Sequence, residues 1–378
     1  MKSAAPENTV GILHVLWSLG VGGAEKLAND MIRMLPRDVY RPVVCSVAEA
    51  GFLGDRLRDD GYHVYHRECV PGVDMGMVRW LREIISHENI RIIHAHQYSP
   101  MYYSVLAALG NKQLKLVYTE HGRLFPDRRN WKRYLVNPLL AKRIDHMVSI
   151  AESTKKAMIH YDNLPGKKIR VVHNGVEMPE KPVNLNLENK RMELGIPAAC
   201  RILGTAARLD EDKNLPMMLR AFKIVLGCYP DSCLLIAGCG SLEGSKESDL
   251  KALATGLGIE QQVKFIGQRD DLQEIYPLID VFLLSSYTEG ISISLLEAMV
   301  CGLPCVVTDV GGNSEVVLDG VTGFLVPSDA HESMADKVLS LLADPELVAV
   351  MGNNGSERVA SCFSFSRMMD EYLELYES

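Results

Sequence analysis

Short runs of consecutive apolar residues alternate along most of the chain with stretches of helical spacing. Gly11–Leu16 reads as a buried strand that ends in the glycine-containing turn Leu19-Gly-Val-Gly-Gly23. Leu27, Ala28, Met31, Ile32 and Leu35 then fall on one face of a helix predicted over Ala24–Leu35. Pro42–Val47, Ile90–Ala95, Leu114–Thr119, His146–Ile150 and Lys168–Val172 are further predicted strands, and Asn174-Gly175 supplies turn chemistry after the last. Continuous apolar runs of this length suit a parallel sheet covered on both faces, where neither side of the strand meets water.

Between Met178 and Lys190 the periodicity lapses into prolines, asparagines and alternating charge, and this stretch is predicted to be a linker. The pattern then restarts. Strands are predicted at Arg201–Ala207, Ser232–Ala237, Val263–Ile266, Val281–Ser285 and Pro304–Thr308, with helices at Pro216–Leu226, Leu250–Leu257 and Ser292–Cys301. Two rounds of strand–helix alternation predict an α/β protein with two doubly wound, Rossmann-like domains, each binding ligands at the carboxyl ends of its strands. The expected division is an N-terminal domain over 1–178, a linker over 179–190, and a C-terminal domain over 191–360. A final helix over 361–378 carries Met368, Met369, Tyr372, Leu373 and Tyr376 at helical spacing, and it is expected to pack back on the first domain.

At 378 residues, two cores are the natural expectation. The composition, 47% hydrophobic and 23% charged, excludes disordered and fibrous classes. No apolar stretch reaches the roughly 18 residues of a membrane span, and the start does not resemble a signal peptide. Nine scattered cysteines with no Cys-x-x-Cys pair fit a reduced, cytoplasmic setting better than disulfides or zinc. His94-x-His96 has metal-like spacing, but no acidic or cysteine residue lies near it in sequence, so no metal site is expected. The net charge is −8, yet the segment Lys112–Glu177 holds 14 Lys and Arg against 6 Asp and Glu. That segment, with Arg128, Arg129, Lys132, Arg133, Lys142 and Arg143, is either a solvated helical face or a surface for anionic lipid or a phosphate-bearing acceptor. Nothing points to nucleic acid.

The chemistry concentrates in Leu284-Ser-Ser-Tyr-Thr-Glu289-Gly290-Ile291-Ser292 and the helix that follows it. Amides of Gly290, Ile291 and Ser292 at a helix N-terminus suit a diphosphate. Glu289 in the turn and Glu297 on the helix could accept hydrogen bonds from sugar hydroxyls and from a ribose diol. Any two glutamates could equally be solvated acids. Upstream, Arg208 ends a strand and Lys213 follows a polar turn; two cations so placed could neutralise a leaving diphosphate.

Taken together, Glu289-x7-Glu297, the following Ala-Met-x-x-Gly-Leu-Pro304, and Gly311-Gly-Asn-Ser-Glu315 resemble the retaining glycosyltransferases of family 4. The resemblance implies the GT-B architecture, two Rossmann-like domains facing across a cleft, and a metal-independent transfer from a nucleotide sugar, a UDP- or GDP-sugar serving as substrate with no cofactor. Arg208 and Lys213 match the family's donor-phosphate ligands, and His121 in Thr119-Glu-His-Gly122 matches its histidine near the reacting sugar, which acts by backbone carbonyl or ring. Gly22 and Gly23 match the first-domain glycine turn, and Val172-His-Asn-Gly-Val-Glu177 matches a turn before the linker. Gly238 and Arg269 lie in loops like those flanking the nucleotide. Where many members carry Gly-Phe-Gly, this chain has Gly290-Ile291-Ser292, which leaves the sugar open. The expected acceptor is a glycan, a lipid-linked saccharide or a small molecule, with peripheral contact to an anionic membrane through the basic segment. The alternatives are a nucleotide-sugar epimerase of the same architecture and a non-catalytic nucleotide-sugar-binding module.

Overall fold

The computed structural model describes residues 9–20, 22–122, 127–178, 186–240 and 246–378. Val21, in the first glycine turn, and 179–185, the first part of the expected linker, lie outside the described residues. The chain divides into two compact units, Met1–His173 with Met368–Ser378, and Asn174–Arg367.

The first unit is built on seven strands, β1 (Val10–Ser18), β2 (Tyr40–Glu49), β3 (His63–His66), β4 (Ile90–His96), β5 (Lys115–Glu120), β6 (His146–Ser149) and β7 (Ile169–Val171). Their order in the sheet is β3-β2-β1-β4-β5-β6-β7, with every pairing parallel. Winding proceeds outward from β1 in one direction and from β4 in the other, so the switch point lies between them. Leu13, Val15, Val43, Cys45 and Ile93 pack within its core. The final helix, Phe365–Glu377, buries Met368, Met369, Tyr372, Leu375 and Tyr376. Leu375 and not Leu373 completes the stripe, because positions 372, 375 and 376 share one face.

The second unit has six strands, β8 (Arg201–Ala206), β9 (Ser232–Ala237), β10 (Val263–Gly267), β11 (Val281–Leu284), β12 (Cys305–Thr308) and β13 (Gly323–Val326), in the order β10-β9-β8-β11-β12-β13, again all parallel. Here the switch point lies between β8 and β11. The short strands β3 and β13 are absent from the sequence reading. Each has four residues at a sheet edge and lacks a long apolar run.

Three boundaries differ from the expectation: the final helix begins at Phe365 and the second unit runs to Arg367, not 360, and the other two lie around the linker. Residues 187–190, assigned above to the linker, form the start of the helix Leu187–Glu193, which belongs to the second unit. Asn186 caps it by accepting from the Asn189 amide, and the Lys190 ammonium is held by Glu193, Asp271 and Glu274. The division into units falls after His173 and not after 178. Asn174 donates to the Ile291 carbonyl and Val176 bridges Ser364, which ties this turn to the second unit.

Candidate functional site

Of the residues singled out in the second half, Arg208, Lys213 and Glu289 meet at the carboxyl ends of β8 and β11, at the switch point. Arg208 and Lys213 follow β8, and Glu289 follows β11. Lys213 donates to Glu289 Oε1 at 2.8 Å, and its Nζ lies 3.2 Å from Asp212 Oδ2. Both partners are nearly enclosed, with side-chain exposures of 14% for Lys213 and 10% for Glu289, so this is a low-dielectric ion pair and not a surface one. Burial alone would disfavour the ammonium. The negative charges of Glu289 and Asp212 outweigh burial and hold Lys213 above the usual lysine value. Ser286 donates to the same Glu289 oxygen at 2.6 Å. Arg208 is half exposed and paired with Asp210 at 2.8 Å and Asp212 at 3.3 Å. The sequence pointed to both cations and to Glu289, but not to Asp210 and Asp212.

The Glu289 loop is fixed from several sides. The Tyr287 amide donates to the Asp212 carbonyl, Ser285 Oγ to the Lys213 carbonyl, and Thr308 Oγ1 to the Ser286 carbonyl. The Gly311-Gly312 pair explains itself in the same region. A Cβ at Gly311, where φ is +55°, would collide with the Glu289 carbonyl, and one at Gly312 would collide with the Gly290 carbonyl. The Gly312 amide instead donates to Gly290 O at 3.0 Å. Asn174, from the turn before the former linker, donates to Ile291 O at 3.0 Å. That turn therefore supports the loop directly, which its sequence alone did not reveal.

Ser292 is the N-cap of the helix Ile293–Val300 and accepts from the Leu295 amide. Glu297 lies on that helix, where Tyr276 Oη donates to its carboxylate at 2.9 Å. Burial, and then the Glu297 charge, push the Tyr276 phenol well above its usual value, so it stays a donor. Tyr276 was not visible as a site residue, since its short helical turn carries no motif. Gly238, after β9, has φ +131° and lies against the Ala207 carbonyl, where no side chain fits. Arg269, after β10, has its guanidinium committed to Asp271 and Glu193.

In the first unit the helix Gly23–Met34 starts with Gly22 as an extended N-cap that makes no side-chain capping bond. His121 follows β5, and its Nε2 lies 2.9 Å from His96 Nδ1. His96 in turn meets His14 of β1, 82 residues away in sequence, at 3.1 Å. His94 is held by Tyr376 Oη at 2.6 Å and Thr119 Oγ1 at 2.8 Å. Burial lowers all four imidazoles, His14 to about 3 and His121 to about 4. His14, His94 and His96 present nitrogens within 4.8 Å of one another, a spacing a metal could use. Both His94 nitrogens are already hydrogen-bonded, however, and His14 and His96 bind each other. Coordination through these nitrogens would displace the hydrogen bonds they already make.

Two family profiles match successive parts of the chain: that of the glycosyl transferases group 1 over residues 187–358, and that of glycosyltransferase family 4 over residues 21–178. The chain belongs to the family 4 glycosyltransferases. Among the curated relatives of this transferase is the N-acetyl-alpha-D-glucosaminyl L-malate synthase of Bacillus anthracis, 28% identical over 81% of this chain and 79% of the relative. Another is the UDP-Gal:alpha-D-GlcNAc-diphosphoundecaprenol alpha-1,3-galactosyltransferase of Escherichia coli, 25% identical over 100% of this chain and 98% of the relative. Anabaena HepE, solved in complex with UDP and glucose, superposes with a TM-score of 0.86 at 23% identity, covering 97% of this chain and 99% of its own. That likeness shows the GT-B fold of the transferase.

Proposed function

We propose that this transferase moves a hexosyl-type sugar from a nucleoside diphosphate to an acceptor hydroxyl, with retained anomeric configuration and without a metal. The observation that carries the proposal is the enclosed Lys213–Glu289 pair beside Arg208 at the switch point. A diphosphate entering there can replace the carboxylates on the two cations, and its negative charge, unlike theirs, grows as the sugar leaves. The C1–O bond then breaks, its electrons stay on the diphosphate, and Arg208, Lys213 and the amides of Gly290–Ser292 balance the new charge. Glu289, released from Lys213, orients sugar hydroxyls and steadies an oxocarbenium-like sugar. The acceptor oxygen attacks from the face the leaving group vacates, and its proton passes to the departing phosphate oxygen. Glu297, held by Tyr276, takes the ribose diol, and His121 supplies a hydrogen bond to the sugar. Support for a uracil base comes from HepE, whose complex contains UDP.

For the acceptor we propose a lipid-linked saccharide, the class named for the Escherichia coli relative. The helix Trp131–Leu140 supports this. Trp131, Leu135 and Leu139, spaced by four, are 67%, 64% and 64% exposed. Arg128, Arg129, Lys132 and Lys142 are exposed around them. An apolar stripe with a tryptophan and flanking cations suits the interface of an anionic bilayer. Arg143 is not part of that surface, because its guanidinium caps the carbonyls of Ala108, Asn111 and Leu114. No helix among the described residues is long and apolar enough to cross a membrane.

Proton NMR of the product tests the mechanism: an axial linkage from an axial donor is expected, and an inverted one contradicts it. Release of nucleoside diphosphate only when acceptor is present separates transfer from mere binding. Sedimentation with anionic vesicles, lost in a Trp131→Ser, Leu135→Ser, Leu139→Ser variant, is expected for the membrane contact. Equal sedimentation of both proteins would remove it.

A further inference from the structure

Three imidazoles, two on the adjacent strands β1 and β4 and one just past the end of β5, form a hydrogen-bonded line in the first unit. His14 and His94 are register partners on β1 and β4, and His96 lies two residues further along the same face. His96 pairs in register with Thr119 on β5, and His121 again lies two residues on. The rings of His14 and His96 are inclined by only 17°, and those of His96 and His121 by 22°. His14 Nδ1 meets His96 Nε2, and His96 Nδ1 meets His121 Nε2. Both ends of the line lack partners among the described residues: His14 Nε2 in the interior and His121 Nδ1 at the carboxyl end of the sheet.

Proton counting restricts this line severely. Burial keeps the rings neutral, so three rings carry three N–H protons. Each of the two hydrogen bonds needs one of them. The third must therefore sit on one of the unpartnered end nitrogens. On His14 Nε2, a fully buried position, it would be a donor that no ligand can reach, and buried N–H groups without acceptors are rare. His121 Nδ1 is enclosed as well, but its residue is partly exposed at the carboxyl end of the sheet, so a proton there is the nearer of the two to an incoming ligand oxygen.

We propose that His14 and His96 are positioning residues that fix His121 as the Nδ1–H tautomer, making its ring a hydrogen-bond donor to the sugar nucleotide and not a base. The identity of the ligand rests on the glycosyltransferase reading above; the tautomer does not. The line also sets a direction. His14 donates to His96, His96 donates to His121, and His121 is left to donate outward. His94, stacked on His96 at 4.1 Å and pinned by Tyr376 and Thr119, keeps the central ring from turning.

Long-range proton–nitrogen NMR on the full chain labelled with 15N-histidine reads the tautomer directly, with the His121 signals assigned by their loss in His121→Phe. The wild type is expected to show a protonated Nδ1 and a bare Nε2 on His121. His96→Phe, which removes the donor to Nε2, is expected to weaken that signature and to lower kcat/KM for transfer roughly tenfold, the worth of about one hydrogen bond. His96→Gln, whose amide can donate to Nε2, is expected to recover both. A wild-type His121 protonated at Nε2 overturns the proposal without any variant. So does a His96→Phe protein that loses turnover while the Nδ1 signature stays intact. If no variant or wild-type protein transfers sugar, the transferase reading fails while the tautomer result still stands.

Discussion

Lowering the pH from about 7.5 to about 5.5 should destabilise the first unit strongly, because it holds four histidines whose fold demands the neutral form. His14, His94, His96 and His121 are depressed by burial, His14 to about 3 and His121 to about 4, whereas an unfolded chain protonates them near 6.5. The folded values lie below the unfolded ones, so the unfolded chain binds more protons once the pH drops under 6.5. Stability that is fully present above that value is lost progressively as pH falls toward the folded values. Over this interval each histidine contributes about 1.4 kcal/mol, and the four together about 5 kcal/mol. That is a large share of the roughly 5–15 kcal/mol that ordinarily stabilises a domain. His146, half-buried and also lowered by burial, acts in the same direction. Carboxylates with ordinary values near 4 contribute little here. Trp17, Trp80 and Trp131 are the three tryptophans of the chain and all belong to the first unit, so urea titration followed by their fluorescence reports on it. The reasoning fails if the unfolding free energy at the two pH values agrees within about 1 kcal/mol.

Three substitutions in the second unit follow from its geometry. Lys213→Met leaves Glu289 buried without its cation and removes a charge from the leaving group. Turnover should fall about 100-fold or more, as read by nucleoside diphosphate release, while the first-unit fluorescence transition stays in place. Gly311→Ala sets a Cβ against the Glu289 carbonyl at a positive φ, and calorimetric melting should show a loss of about 1–3 kcal/mol in the second unit. Tyr276→Phe deletes the donor to Glu297 and should weaken nucleotide binding by up to about tenfold, measured by titration calorimetry, with the melting temperature nearly unchanged.

The parallel strands were legible because a strand covered on both faces is largely apolar; β9 and β12 read that way, as do β1 and β4 apart from their histidines and Arg91. The edge strands β3 and β13 carry only part of that constraint, and four residues give too short a pattern to stand out. The helix Leu187–Glu193 was hidden by its charged composition, although Asn186 at its start and Gly195 with φ +63° just past its end are ordinary helix punctuation. Motif residues around Glu289 and Glu297 could be named from sequence because one loop and one helix carry them. Among their partners, Asn174 and Gly311 lie in motifs the sequence offered, whereas Asp212 and Tyr276 did not stand out, and only the sheet order brings all four to the same place. The histidine line is the extreme case, since its members come from β1, β4 and the residue after β5, and no spacing in the chain connects His14 with His121.

Calorimetric titration of UDP, GDP and their sugar conjugates into the wild type, Arg208→Ala and Glu297→Ala measures whether the carboxyl ends of the second sheet grip a nucleoside diphosphate. Saturable binding of one nucleotide series to the wild type, weakened tenfold or more in both variants, is the expected result. A wild type that binds none of them, or variants that bind as tightly as the wild type, would contradict the assignment of this site.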